Sequence, residues 1–437
     1  MKGLFIRLLF PVLIFGSNSL YAEESNEMKL ERVVIVSRHG VRAPTKLPPL
    51  MQEITPYQWP KWDVPLGWLT PRGGELTSKL GAFQRFRLVE KGLLANQTCP
   101  SADQIAIIAD TDQRTRKTGE SFVAGFAPEC QIQIRYQKDA AKKDPLFNPV
   151  RMGECSFNTL TVKKAILEKA GGSIEQYSQR FQSGFEALEN VLNFSQSKLC
   201  KEAGNPERCT LQNVLHSDLK VTPYSVSLPG YWSLSSMLTE IFLLQEAQGM
   251  PLVGWGRISR EKQWKELLSL HNAQFDLLQR TPEVARIRAT PLLDLINNAL
   301  ATEGTTLKKY DLKLPVSLLF IVGHDTNLAN ISGALDLNWS LPGQPDNTPP
   351  GGELVFERWK RASDNTYWVR ASFVYQTLKD MKDITLNNHP AKVDVEMRAC
   401  EEKNMQGMCS LKSFSKHIEA VRIPECTLID SASFLGN

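Results

Sequence analysis

The sequence predicts an α/β fold: a mixed, mainly parallel sheet flanked by helices, with an inserted all-α domain and a cleft between the two. Three observations lead there. The apolar runs Val33–Val36, Ile105–Ala109 and Val316–Val322 each stop at a cluster of charged and polar residues. Near-continuous runs of this length suit strands buried on both faces. From about Cys155 to Leu278 the apolar residues fall at helical spacing instead. Glu353–Trp359 and Tyr367–Tyr375 alternate around Ser363-Asp364-Asn365, as the arms of a hairpin do. The organisation that follows is a leader over residues 1–22, an α/β domain built from 23–154 and 281–437, and a helical insertion over 155–280. A pocket is expected in the cleft between them, a common place for one.

The chain opens on Lys2 and Arg7, an apolar stretch from Leu8 to Phe15 broken by Pro11, and small and polar residues leading to Tyr21-Ala22. This is the pattern of a secretory signal peptide cut after Ala22. The run is too short for a membrane anchor, which needs about 20 apolar residues, and no later segment qualifies. The mature protein is therefore expected to be exported, with no membrane segment. Losing Lys2 and Arg7 lowers the formal net charge from +4 to +2. That is not the balance of a nucleic-acid binder, so any strong positive field must be local. Eight cysteines in an exported chain point to disulfides, although eight admit many pairing schemes. Cys200/Cys209 and Cys400/Cys409 bracket short polar loops, Cys99/Cys130 flank one strand–helix unit, and Cys155 and Cys426 remain. There is no Cys-x-x-Cys and no tight His/Cys cluster, so no metal centre is expected.

The first strand runs into Ser37-Arg38-His39-Gly40-Val41-Arg42-Ala43-Pro44. An imidazole between two guanidiniums is a site for an anion, with the histidine aimed at it. Alone, the tripeptide reads equally well as a solvated basic turn. The second strand runs into Asp110-Thr111-Asp112-Gln113-Arg114 and then a helical pattern over Arg116–Phe126; Arg114 could simply open a solvated helix. The third runs into Gly323-His324-Asp325-Thr326-Asn327, followed by helix-like Leu328–Leu335, with Asp325 or Thr326 suited to capping that helix. Ligands of open α/β sheets sit outside the carboxyl ends of the strands. If the three strands are neighbours, Arg38, His39, Arg42, Arg114, His324 and Asp325 meet in one crevice.

Together these six suit hydrolysis of a phosphomonoester. The arginines would grip the phosphoryl oxygens through paired N–H donors and keep His39 neutral in acid. His39 would attack phosphorus, His324 would donate a hydrogen bond to the phosphoryl group, and Asp325 would protonate the leaving alkoxide. The arginines neutralise the developing charge, so neither metal nor cofactor is required. A carboxylic acid donor predicts an acidic optimum. An exported phosphate-binding protein is the non-catalytic alternative; it would need the arginines but not His39 and Asp325.

In the middle of the chain, Ser233–Gln248 has Leu234, Met237, Leu238, Ile241, Phe242 and Leu244 at helical spacing and Gly249 as a stop. Trp264–Arg280 and Pro282–Leu300 continue the pattern. Pro342–Gly352 is a loop at the pocket rim.

Arg38-His39-Gly40-Val41-Arg42-Ala43-Pro44 with the distant His324-Asp325 resembles the histidine acid phosphatases, and among them the periplasmic phytases of enteric bacteria. Leu66–Glu75, Asp112–Glu120, Met237–Gln245, Gly323–Asn330 and Leu341–Glu353 resemble those enzymes too, so the likeness spans essentially the whole mature chain. It implies His39 as nucleophile and Asp325 as proton donor, with Arg38, Arg42, Arg114 and His324 binding the scissile phosphate. It further implies Thr45 and Lys46 as contacts to other phosphates of inositol hexakisphosphate, and Asp110, Met237, Glu240, Arg288 and Thr326 as pocket lining. For Lys46, Glu240 and Arg288 an ordinary surface charge is the competing reading, and for Met237 a core or wall position. The layout of the eight cysteines fits the family and supports the four pairings above. A periplasmic, monomeric enzyme acting on a small polyanion is implied. The glucose-1-phosphatase group of the same family lacks the Gly40–Lys46 continuation, which favours phytate over a broader acid or sugar phosphatase.

Overall fold

The computed structural model describes residues 28–428 except 97, 140–141, 205–208, 260 and 385–389. The signal peptide expected over 1–22 lies outside the described residues. One nine-stranded sheet organises the chain. Its strands are β1 (Met28–Arg38), β2 (Ile105–Ala109), β3 (Ile134–Arg135), β4 (Leu318–Gly323), β5 (Leu337–Asn338), β6 (Glu353–Arg361), β7 (Tyr367–Tyr375), β8 (Ala391–Met397) and β9 (Cys409–Ser410). The order is β3-β2-β4-β1-β6-β7-β8-β5, with β9 paired to β7. Pairing is parallel from β3 through β2 and β4 to β1, and antiparallel from β1 onward. The sheet is mixed, with the parallel share confined to the half that bears the site.

The apolar runs are explained by two-sided burial. Val34, Val36, Ala106, Ile108, Leu319 and Ile321 pack into one layer with Leu292, Leu293 and Ile296 of α7 (Pro282–Leu300) and Leu328 and Ile331 of α8 (Asp325–Ala334). Their neighbours Val33, Ile35, Ile105, Ile107, Leu318 and Phe320 face the other layer, with Leu80 and Leu88 of α1 (Pro71–Glu90) and Phe122 and Phe126 of α2 (Gln113–Phe126). Alternate side chains leave on opposite faces of a strand, so a strand covered by helices on both sides has no polar phase. Phe122 stacks on Phe320 at 3.8 Å between centroids. Each such fully buried side chain contributes about 1.5–3 kcal/mol.

A second core gathers α3 (Thr159–Ala170), α4 (Gln182–Leu192), α5 (Tyr231–Ala247) and α6 (Glu261–Leu278) around Val162, Leu188, Trp232, Phe242 and Leu268. Met51, Ile54 and Leu378 join it from outside 155–280. That stretch is not purely helical. Lys220–Thr222 and Ser225–Ser227 form a small hairpin, because the Thr222 hydroxyl accepts from the amides of Tyr224 (3.3 Å) and Ser225 (3.0 Å) and closes a turn. The disulfides are Cys99–Cys130, Cys155–Cys426, Cys200–Cys209 and Cys400–Cys409. Among the described residues no helix is long and apolar enough to cross a membrane.

Candidate active site

Register aligns the ends of three strands. Val33 and Ile105 both lie opposite Leu318, so Arg38 ends beside Gly323 and Ala109 beside Val322. The amides of His39 and Asp110 extend the pairing one step, to the carbonyls of Gly323 (3.0 Å) and Val322 (3.0 Å). The chain beyond His39 is pressed onto the start of α1. A Cβ at Gly40 would lie 2.8 Å from the Thr77 hydroxyl oxygen, and one at Gly73 would lie 2.2 Å from the Val41 carbonyl oxygen. Glycine is required at both contacts because backbone meets backbone there.

His39 is 1 % exposed, and its Nδ1 lies 2.9 Å from the Gly40 carbonyl. A carbonyl only accepts, so Nδ1 carries the proton and Nε2 keeps its lone pair. Burial, then the guanidiniums of Arg114, Arg42 and Arg38 and the His324 ring, push the His39 pKa well below the ordinary imidazole range. The imidazole thus stays neutral in acid.

Arg38 is fully buried. One terminal nitrogen donates to Asp346 Oδ2 (2.9 Å) and to the Thr348 carbonyl (2.6 Å); the other donates to Glu240 and lies 3.1 Å from Asp325 Oδ2. Burial alone would lower its pKa, but Asp325, Glu240 and Asp346 together raise it. Arg42 donates to the same Glu240 oxygen at 2.9 Å. Arg114 donates to Asp112 Oδ2 at 2.8 Å and lies 3.4 Å from His324 Nδ1. Arg38, Arg42 and Arg114 each keep a buried Nε–H with no acceptor among the described residues.

His324 caps α8 and meets His39 edge-on at 5.5 Å between ring centroids. Sequence reading offered Asp325 or Thr326 as the cap. Instead the helix begins at Asp325, because the His324 amide is taken by the Asn327 side chain at 2.9 Å. The His324 Nε2 lies 2.8 Å from Asp110 Oδ2, which fixes the ring. Burial favours protonated Asp110, but the hydrogen bond and charge of His324 outweigh it and lower the pKa. For Asp325, burial is likewise outweighed by Arg38 and Arg42, and its carboxyl is held at about 2. Asp110, Asp112 and His324 bring possible metal-ligand atoms within 4.8 Å of one another. Arg114 and the Lys143 ammonium already neutralise Asp112, so the group works as an ion-pair network.

The remaining sequence-derived residues surround this centre. Met237 and Glu240 are half-buried on one side of α5, one turn apart. Glu240 is no surface charge: burial is overcome by Arg42 and Arg38, which lower its pKa. Thr326 and Arg288 line a cavity of about 360 Å³ together with Arg151, Tyr224 and Asn330. Arg288 is brought down to about 10 by burial, donates to Gln279, and lies 5.2 Å from the Phe157 ring centroid. Thr45 and Lys46 are exposed. Thr45 and Arg114 both lie beside Gly67: a Cβ there would be 3.8 Å from Thr45 Cα and 3.7 Å from Arg114 Nη1. Sequence reasoning missed Asp346, the Thr348 carbonyl, Asp112 and Lys143. The one available signal was a lone acid in the Pro/Gly-rich loop.

Residues 29–374 match the model of the histidine phosphatase superfamily (branch 2). The chain belongs to this superfamily. Within the superfamily it is 57 % identical over 432 residues to phytase AppA of Escherichia coli (strain K12), covering 98 % of this chain and 100 % of that protein. It is 31 % identical over 423 residues to glucose-1-phosphatase of Salmonella typhimurium, covering 95 % of this chain and 98 % of that one. The solved phytase from Citrobacter braakii superposes with a TM-score of 0.90 at 72 % identity, over 92 % of this chain and all of that one (100 %).

Proposed function

We propose that this protein is an exported, periplasmic phosphoric monoester hydrolase whose substrate is phytate, myo-inositol hexakisphosphate. The observation that carries the reading is His39. It is buried and neutral with its Nδ1 proton held by Gly40, and it stands among three arginines beside an acid on a neighbouring strand end. His39 Nε2 attacks phosphorus, the ester P–O bond breaks, and the Asp325 carboxyl gives its proton to the departing alkoxide. Water then attacks the phosphohistidine. Inorganic phosphate leaves, His39 returns neutral and Asp325 regains a proton.

Asp325 must be protonated to act, yet beside Arg38 it sits near 2. A phosphate dianion entering the arginine cluster supplies the correction. It takes up guanidinium donors and adds negative charge next to Asp325, and both raise the carboxyl pKa. Polyphosphate selectivity rests on Thr45, Lys46, Thr326 and Arg288 around the centre, with Met237 and Glu240 as its wall. The proposed organisation is an α/β domain from 23–154 and 281–437 closed over by the 155–280 insertion, acting as a monomer. Identity to a phytase well above that to a glucose-1-phosphatase supports phytate over a sugar phosphate.

Acid-quench trapping with labelled substrate tests the mechanism. A phosphohistidine is expected in the intact chain and none in His39→Ala; label that survives the substitution overturns it. Turnover on phytate, glucose 1-phosphate and p-nitrophenyl phosphate tests the substrate, and a strong preference for either small ester overturns phytate.

A further inference from the structure

Half of the buried Arg38 guanidinium is anchored by a loop. One terminal nitrogen is held by Asp346 Oδ2 at 2.9 Å and the Thr348 carbonyl at 2.6 Å, and both acceptors lie in the Pro342–Gly352 segment. The loop lies between β5 and β6; backbone hydrogen bonds hold its two ends, from the Gly351 amide to the His39 carbonyl (3.1 Å) and from the Leu378 amide to the Gly343 carbonyl (3.0 Å), but the stretch around Asp346 is placed by side chains. Asp346 is itself built into it: its Oδ1 accepts from the Thr348 amide at 2.9 Å, and its amide donates to Gln344 Oε1 at 3.3 Å. What seats this loop against the helices across the cleft is Asn272 of α6. The Asn272 Nδ2 donates to the Pro345 carbonyl at 2.8 Å, and its Oδ1 accepts from the Asn347 amide at 3.0 Å. One amide side chain thus grips the backbone on both sides of Asp346.

The consequence for the reaction is geometric. A guanidinium recognises a phosphoryl group through donors fixed in one plane, so its orientation matters as much as its presence. The other terminal nitrogen of Arg38 is tied to Glu240 and Asp325. With Asp346 and Thr348 in place, the plane is pinned at both ends; without them it can pivot about Glu240 and Asp325.

We propose that Asn272 is a positioning residue for the reaction: by clamping Pro345 and Asn347 it sets Asp346 and the Thr348 carbonyl, and through them the plane of Arg38 against the phosphoryl group. The proposal rests on the reading of Arg38 as a phosphate-binding group. Asn272 touches neither substrate nor reacting atoms.

The test is a double-mutant cycle on the full chain, combining Asn272→Ala with Asp346→Asn, and reading inorganic phosphate affinity by calorimetry alongside kcat and KM on phytate. Each single variant is expected to lose about tenfold in kcat/KM, since one or two hydrogen bonds to a positioning group are removed. Each should also weaken phosphate binding. The double variant should fall no more than about twofold below the worse single, because both act through the same contact. Asn272→Asp keeps the bond from Asn347 and loses the one to Pro345, so it should fall between wild type and Asn272→Ala. Losses that multiply in the double variant overturn the proposal. So does an Asn272→Ala protein with wild-type phosphate affinity and kcat/KM, or one whose only change is a lower Tm. The phosphate readout separates this failure from failure of the catalytic reading. A wild-type chain that binds phosphate but forms no phosphohistidine refutes the hydrolase, and the cycle still reads the clamp.

Discussion

Substituting Glu353→Gln should remove a large part of the pH dependence of stability. Glu353 lies on β6 opposite Ser37 of β1, at the edge of the site, and is 1 % exposed. Its Oε2 accepts from Gln84 Nε2 at 2.6 Å, and Arg87 in turn donates to Gln84 Oε1 at 2.9 Å. Burial, only partly offset by Gln84 and Arg87, lifts the carboxyl from an ordinary 4.5 to about 8. The unfolded chain releases this proton near 4.5, whereas the folded chain keeps it to about 8. Between those values the folded state binds more protons, so stability falls as pH rises. The slope for one such group is about 1.4 kcal/mol per pH unit, on the order of 3 kcal/mol between pH 5 and pH 7.5. Glutamine has the same shape, can still meet Gln84, and carries no proton to lose. Denaturant unfolding of both proteins at pH 5, 6, 7 and 8 should give curves that lie close together in acid and diverge toward pH 8, with the variant more stable. A constant offset across that range would refute a protonated Glu353.

Other consequences follow from the same geometry. Glu240→Gln removes a negative charge beside Asp325, and the arginines it neutralised then bear on that carboxyl, so the alkaline limb of the kcat profile should move to lower pH by about half a unit or more; a limb that stays put or moves upward contradicts this. Arg288→Gln should raise KM for phytate several-fold while leaving p-nitrophenyl phosphate within about twofold, because Arg288 lines the neighbouring cavity; equal effects on both substrates would remove it from the polyphosphate contacts. Replacing Cys155 and Cys426 by alanine should destabilise far more than replacing Cys400 and Cys409, since the sequence separations are 271 and 9. The chain-entropy relation gives about 5–6 against about 2.5 kcal/mol, and thermal unfolding of the two double variants would show it.

What could be read from the chain and what could not divide along physical lines. β1, β2 and β4 are buried on both faces, so their runs are apolar throughout and their charged ends stand out. α5 and α7 announce themselves through period and through Gly249 and Pro282. Asp346 and Thr348 did not, because an acid in a polar loop resembles any surface acid and a carbonyl acceptor belongs to every residue. Glu240 was ambiguous for the converse reason: a charge at helical spacing looks solvated until Arg38 and Arg42 arrive from 202 and 198 residues away. The turn of the hairpin at Lys220–Ser227 is closed by one threonine hydroxyl, too small a signal to break a helical reading.

The convergence on Arg38 bears on how such a protein would be monitored. Its carboxylate partners come from α5, from the start of α8 and from a loop 308 residues further along the chain. No contiguous fragment that starts after Arg38 or stops short of Asp346 contains them all. Hydrolytic activity is therefore a census of complete tertiary assembly. A misfolded, clipped or wrongly crosslinked molecule should read as silent rather than slow, and specific activity divided by phosphohistidine-forming sites should stay constant throughout refolding.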